Sequence, residues 1–272
     1  MHGSTLDVRV SASAGTKARL RRVTERPRVS VVVPARNEAA NIAWVMERIP
    51  AIVDEVVLVD GDSMDGTVAE ARRVRPDILV VGQDVPGKGA ALRAGFAAAT
   101  GDYVAMIDAD CSMDPAELVD FVRRLDAGDE VVKGSRFLDG GGTTDMSWIR
   151  RCGNAGLRGL VNALYGARFT DLCYGYCAFR RHALERLMLR SDGFEIETEI
   201  VTRALRVGLT ISEVPSFESP RANGVSNLNA WRDGRRVLRT LLRERFSGVN
   251  VAIEVETPAP ASAAVAVDAS PN

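Results

Sequence analysis

Short apolar runs alternate with stretches of helical period along most of this chain. VSVVVPA (29–35) is β-branched and apolar throughout, which predicts a strand covered on both faces. EAANIAWVMERI follows with helical spacing. DEVVLVD (54–60) predicts a second strand, and DGTVAEARRV a helix that Asp65 is placed to cap. ILVVG (78–82) and GKGAALRAGFAAAT predict a third strand and its helix. YVAMIDAD (103–110) predicts a fourth strand, and Asp114-Pro115 starts a helix with proline at its first position. EVVKGSRF (130–137) predicts a fifth strand.

After residue 140 the rhythm changes: GGGTTD predicts a polar, flexible loop and 147–166 an amphipathic helix. DLCYGYCAFRR and TISEVPSFE predict further strands, with helices around 182–189, 195–207 and 229–246. Strand–helix alternation builds right-handed βαβ units, so the expected fold is α/β with a mostly parallel central sheet flanked by helices. Residues 1–28 form a basic Ser/Ala/Arg tail, weakly similar to an Arg-rich transit peptide, and 249–272 a Pro/Ala-rich tail. The expectation is a single domain over 29–248 with disordered termini.

Composition narrows the partners. A formal net charge of -1 supplies no global basic field, so nucleic acid is not an expected partner. No apolar run is long enough to cross a bilayer and no N-terminal h-region is visible, so a cytoplasmic location is expected. Cys111, Cys152, Cys173 and Cys177 lack a histidine pair or a second close cysteine pair for zinc, and read as buried, reduced thiols.

The chemistry concentrates at strand ends, where open α/β sheets bind ligands. Asp108 and Asp110 end an apolar strand, and buried carboxylates need a cation, a partner or solvent. Mg²⁺ takes one or two carboxylates together with phosphate oxygens and water. A phosphatase of the haloacid dehalogenase type would also use Asp108, Asp110 and Ser112, but carries that motif on its first strand rather than its fourth. GQDVPGKG (82–89) fits a P-loop up to Lys88, then has Gly89 in place of Ser or Thr. Lys88 either meets a phosphate or is a solvated turn lysine. Asp60, Asp62 and Asp65 lack the loop that calcium requires, whereas Asp60 at a buried strand's end can accept from a nucleobase N–H.

PARNEAANI (34–42), VDGDSMDGT (59–67), GKGAALRAG (87–95), DADCSMDP (108–115), GSRF (134–137), TDLCYGYCAFRR (170–181) and EVPSFESPRANGVSNL (213–228) together resemble family 2 glycosyltransferases with a GT-A (Rossmann-like) fold. Within that family the chain is most similar to the dolichyl- or polyprenyl-phosphate sugar synthases. The resemblance implies that Pro34, Ala35, Arg36 and Glu38 line the nucleotide pocket and that Asp60 reads the base or ribose. It implies Lys88 in the loop after the third strand, and Asp108 and Asp110 on Mg²⁺ or Mn²⁺ and the diphosphate, with Ser112 able to add a metal ligand. Arg136 would face phosphate or acceptor, Asp171, Glu197 and Glu199 would sit near acceptor and sugar, and Arg221 would close over the diphosphate. Asp60-Gly61 stands where the family often has two aspartates, and Ser226-Asn227-Leu228 where it often has S-K-L. No membrane helices follow the domain in this sequence.

The implied reaction is inverting transfer of a sugar from a UDP- or GDP-linked donor to a polyprenyl phosphate. A soluble or glycan hydroxyl is the alternative acceptor, with Asp171, Glu197 or Glu199 as candidate general base, unless the glutamates are ordinary helix-start acids. A nucleotidyltransferase and a non-catalytic nucleotide-sugar-binding protein are the rival classes. The arginine-rich last helix is either a solvated basic face or a peripheral contact with anionic lipid at the inner face of a membrane.

Overall fold

The computed structural model describes residues 26–224 and 230–246. A seven-stranded sheet runs in the order β3-β2-β1-β4-β7-β5-β8. Its strands are β1 (Val29–Ala35), β2 (Glu55–Asp60), β3 (Leu79–Gly82), β4 (Tyr103–Met106), β5 (Val131–Ser135), β7 (Cys177–Arg180) and β8 (Ile211–Pro215). All neighbours pair in parallel except β7, which is antiparallel to both β4 and β5. The inner parallel strands β1 and β2 are covered on both faces, which explains their near-continuous valine runs. Val31, Val33, Leu58 and Ala105 enter one apolar layer. Val32, Val57, Val59, Val104 and Met106 enter the other.

The helices are α1 (Ala39–Arg48), α2 (Thr67–Val74), α3 (Lys88–Ala98), α4 (Leu118–Asp126), α5 (Trp148–Tyr165), α6 (Arg181–Leu187), α7 (Ile196–Arg206) and α8 (Ala230–Phe246). A 3₁₀ turn at Pro115–Glu117 precedes α4, and the Asp114 side chain accepts from Ala116 N. A small cluster of Val161, Phe169, Leu172, Val201 and Leu241 joins α5, α7 and α8.

The expected elements recur with shorter bounds. The fourth strand stops at Met106, so Asp108 and Asp110 lie in a loop. GGGTTD is not merely a loop: β6 (Gly142–Thr143) pairs in parallel with β9 (Phe217–Glu218). Of DLCYGYCAFRR only the last third is strand, because Asp171 to Tyr176 turn inward on polar contacts. Most of the two expected tails, and Ser226-Asn227-Leu228, lie outside the described residues. Residues 26–28 do not: Arg26 pairs with Asp54 at 2.8 Å and Arg28 N donates to Asp102 at 2.9 Å. Cys111 and Cys177 are buried, and burial pushes both thiols up to about 11. Cys152 is exposed, contrary to the expectation for it.

The chain winds from β1 through β2 to β3 on one side, then crosses back to place β4 on the other side of β1. The β1/β4 boundary is therefore the topological switch point, and the crevice at its carboxyl end is where such sheets bind ligands.

Candidate active site

Three loops meet at that crevice. The first leaves β1 through Pro34 and Ala35, with Arg36 exposed and Glu38 buried. The second follows β2, and the two are laced together. Asn37, at φ 57, accepts from Met64 N at 2.8 Å, and Asn37 N donates to Ser63 at 2.9 Å. Glu38 N donates to Thr67 at 2.8 Å. Gly66 rather than Asp65 stands at the N-cap of α2, and Asp65 instead accepts from Thr67 N and Ala39 N, tying the two loops together. Asp60 accepts from Ser63 N through Oδ2, while its buried Oδ1 has no partner. An unsatisfied buried carboxylate oxygen is costly, and a ligand N–H or O–H would satisfy it. A Cβ at Gly61 would lie 3.0 Å from Gln83 Oε1, and the next aspartate, Asp62, is exposed at φ 57.

The third loop carries Asp108 and Asp110. Lys88 Nζ lies 2.7 Å from Asp108 and 3.0 Å from Glu197. Burial alone would pull the Lys88 pKa down, but the two carboxylates outweigh it and hold the ammonium charged. Burial raises the Asp108 pKa, and Asp110 and Glu197 add to the rise against the lowering by Lys88. Asp110 accepts from Ser112 N at 3.1 Å and faces Arg221 at 3.3 Å. Arg221 also reaches Glu38 at 2.8 Å, so it spans the nucleotide side and the aspartate loop. Its segment is tied down: Ser219 N donates to Ser112 O at 2.9 Å and Ala222 N to Asp110 O at 3.2 Å.

Lys88 is not a solvated turn lysine. Its side chain is only 11% exposed, and the amides beside it do not point at a free anion site. Gly89 N and Ala90 N both donate to the Asp192 carbonyl, at 2.8 and 3.2 Å. That contact needs glycine at both flanks of Lys88. Gly87 has φ 131, and a Cβ on Gly89 would collide with the Ser191 carbonyl.

Three expected site residues are elsewhere. Arg136 does not face the crevice: it is 4% exposed, bound to Asp171 at 2.7 Å and to Glu218 at 3.0 Å. Asp171 is fully buried in that pair. Burial pushes its pKa up, and Arg136 more than reverses this, leaving it below the ordinary carboxylate value. Arg180 and Arg181, further along the same run, do not reach Asp171 and instead donate to the carbonyls of Asp129 and Gly101. Glu199 is also fully buried, accepting from Ser191 N at 2.7 Å and pairing with Arg203 at 2.8 Å. It holds the loop whose Asp192 carbonyl caps α3. Of the three carboxylates expected near the acceptor, only Glu197 reaches the crevice.

Gly175 was not singled out from the sequence. A Cβ there would lie 2.7 Å from Lys88 Nζ and 2.8 Å from Glu197. Glycine between two tyrosines in an otherwise strand-like run is the signal that a neighbour approaches closely. Asn41 and Asn223 were missed as well; they bond at 2.9 Å and fasten the Arg221 segment to α1.

The donor set at Asp108 and Asp110 fits Mg²⁺ or Mn²⁺. Both offer hard carboxylate oxygens, 26% and 19% exposed, and each is balanced by a side-chain cation. Among the described residues no three acidic, histidine or cysteine side chains form a metal cage, so a metal would complete its shell with phosphate and water.

A switch-point crevice lined by paired aspartates, a lysine and an arginine is the arrangement of a ligand-binding α/β protein. The family model for glycosyl transferase family 2 matches residues 30–188, more than half of the chain. The chain belongs to that family. It is 33% identical over 226 residues to a low-salt glycan biosynthesis hexosyltransferase of Haloferax volcanii, covering 79% of this chain but only 53% of the relative. It is 32% identical over 221 residues to the polyprenol monophosphomannose synthase of Mycolicibacterium smegmatis, covering 76% of this chain and 83% of that one. Glucosyl-3-phosphoglycerate synthase from Mycobacterium tuberculosis, solved with Mn²⁺, UDP and glucosyl-3-phosphoglycerate, superposes with a TM-score of 0.65. The identity is 27%, and the match covers 80% of each chain. The same enzyme has been solved with Mg²⁺ and UDP.

Proposed function

We propose that this family 2 glycosyltransferase is metal-dependent and inverting, and moves a hexose from a UDP- or GDP-linked donor to a polyprenyl phosphate. The observation that carries the reading is the convergence of Lys88, Asp108, Asp110, Glu197 and Arg221 at one crevice, beside the unpartnered oxygen of Asp60. Mg²⁺ or Mn²⁺ on Asp108 and Asp110, with Ser112 beside them, would supply Lewis-acid stabilisation of the leaving diphosphate. Asp60 accepts from the base or ribose, next to the loop of Pro34, Ala35, Arg36 and Glu38.

The acceptor oxygen attacks the anomeric carbon from the face opposite the nucleotide. The carbon–oxygen bond to the acceptor forms as the bond to the diphosphate breaks, and the electron pair leaves with the nucleoside diphosphate. Arg221 and Lys88 stand where that negative charge grows, and both are already oriented by carboxylates. A phosphate acceptor is anionic and needs no base. The M. smegmatis relative supports this acceptor by its name. A soluble acceptor is the second reading, supported by the glucosyl-3-phosphoglycerate synthase likeness. With a hydroxyl acceptor Glu197 is the base, because Asp171 and Glu199 are sealed in buried ion pairs.

The test is release of nucleoside diphosphate from a panel of UDP- and GDP-sugars, with Mg²⁺ or Mn²⁺ and either polyprenyl phosphate or soluble acceptors. Release that chelation stops and Asp110→Ala abolishes is expected, with stimulation by polyprenyl phosphate. Stimulation by soluble acceptors alone would replace the lipid reading with the second one. Nucleotide binding without turnover on any donor would overturn the transferase reading.

A further inference from the structure

We propose that α8 is a docking surface for an anionic lipid bilayer, lying flat on it through its outer face. The helix carries six arginines, at 232, 235, 236, 239, 243 and 245, against two acids. Both acids, Asp233 and Glu244, are turned inward and buried. Glu244 is consumed by Arg203 and Arg206 of α7, at 3.1 and 2.9 Å. Val237 and Leu241 supply the apolar inner contact, Leu241 within the cluster it shares with α5 and α7. The helix is thus anchored to the domain without help from its outer side.

That outer side is not uniformly polar. Leu238, Leu242 and Phe246 are 39%, 41% and 73% exposed, and their spacing of four stacks them in one row along the helix. Arg235, Arg239 and Arg245 flank this row, are exposed, and have no carboxylate partner among the described residues. A solvated basic face would not carry a continuous apolar row. An apolar row bordered by arginines, with every acid removed to the opposite face, is the pattern of a helix seated at the headgroup boundary. Charge decides among occupants. A second copy meeting this face across a two-fold axis would oppose arginine to arginine. Anionic headgroups neutralise the arginines while the leucines and phenylalanine enter the acyl edge.

The helix also begins beside the crevice: Arg236 comes within 3.4 Å of the Cβ position of Gly193, next to the Asp192 carbonyl that caps α3. Docking would bring the crevice close to a lipid-borne acceptor. The purpose of the surface rests on the lipid-acceptor reading above, but its geometry does not.

The test is sedimentation of the full chain with phosphatidylcholine vesicles, alone or mixed with phosphatidylglycerol, at low and raised salt. Binding to the mixed vesicles only, reversed by salt, is expected. The Arg235→Gln/Arg239→Gln double variant should bind about tenfold or more weakly, each surface arginine contributing to attraction. Leu242→Gln/Phe246→Gln should also weaken binding, and both variants should bind UDP and GDP as the unaltered chain does. Equal binding to neutral and mixed vesicles, indifference to either double variant, or a vesicle-independent dimer that both variants disrupt would each overturn the proposal. Vesicle binding without transfer to polyprenyl phosphate would defeat only the lipid-acceptor reading. Transfer without vesicle binding would defeat only the docking surface.

Discussion

Lys88 lies between Asp108 and Glu197, and Arg136 lies between Asp171 and Glu218. Each cluster is one cation between two carboxylates, and the settings are opposite. The Lys88 cluster stands at the crevice, with carboxylates 26% and 12% exposed. The Arg136 cluster is sealed, with side chains 2%, 0% and 9% exposed. Arg136 also donates to Cys173 O at 2.8 Å, and its partner Glu218 accepts from the Thr143 hydroxyl at 2.6 Å. It holds β9 and the turn at Asp171 in place, which in turn steers the chain toward Arg221. Closed and fully bonded, such a cluster makes structure. Open on one side and short of bonds, it can exchange partners with a ligand.

The largest effect should come from the sealed cluster. Arg136→Ala strips buried Asp171 of its ion pair and leaves Glu218 only the longer contact with Arg150, at 3.7 Å, and should cost about 3–5 kcal/mol of stability, read by urea unfolding. A loss near zero would erase the distinction. Lys88→Met should instead leave the unfolding midpoint near wild type, since Asp108 and Glu197 can be hydrated, while transfer drops about 10²–10³-fold. A collapse in stability there would make Lys88 a structural cation as well. Gly175→Ala should be milder, on the order of tenfold in turnover, because its Cβ displaces Lys88 and Glu197 together. Unchanged kinetics would mean that their mutual placement is not used.

The smallest effect is in the pH profile. The Asp171 pKa is lowered in the folded protein from an ordinary 3.8. A depressed folded pKa contributes stability that is present above the unfolded value and lost as pH falls through the folded one. Wild-type stability should therefore fall on acidification below about pH 4, with a flatter profile in that window for Asp171→Asn. Parallel profiles would assign the acid sensitivity to other carboxylates.

The first half of the fold was legible because local signals agreed. Apolar runs, glycine breaks and helical spacing all placed β1 to β4 within a few residues. The aspartate pair at the fourth strand's end, and Asp60 at the second's, were legible for the same reason. Beyond residue 140 the signals weakened. The antiparallel β7 and the β6–β9 pair could not be read, since a two-residue strand has no period and strand direction is set by partners. Gly175 carried only its position between two tyrosines.

The sequence by itself determined the class of protein: a βαβ rhythm, carboxylates after buried strands, and an order of motifs that defines the family. Tertiary structure alone decided which charges are available. Asp171, Glu199 and Arg136 have the same chemistry in sequence as Glu197 and Arg221. Yet burial against fixed partners removes the first three from the crevice, and an open side leaves the other two facing it. The physical reason is that a charge's role depends on its partners and its access to water. Both come from residues distant along the chain, such as Glu38 and Arg221 or Lys88 and Glu197, and only the fold brings them together.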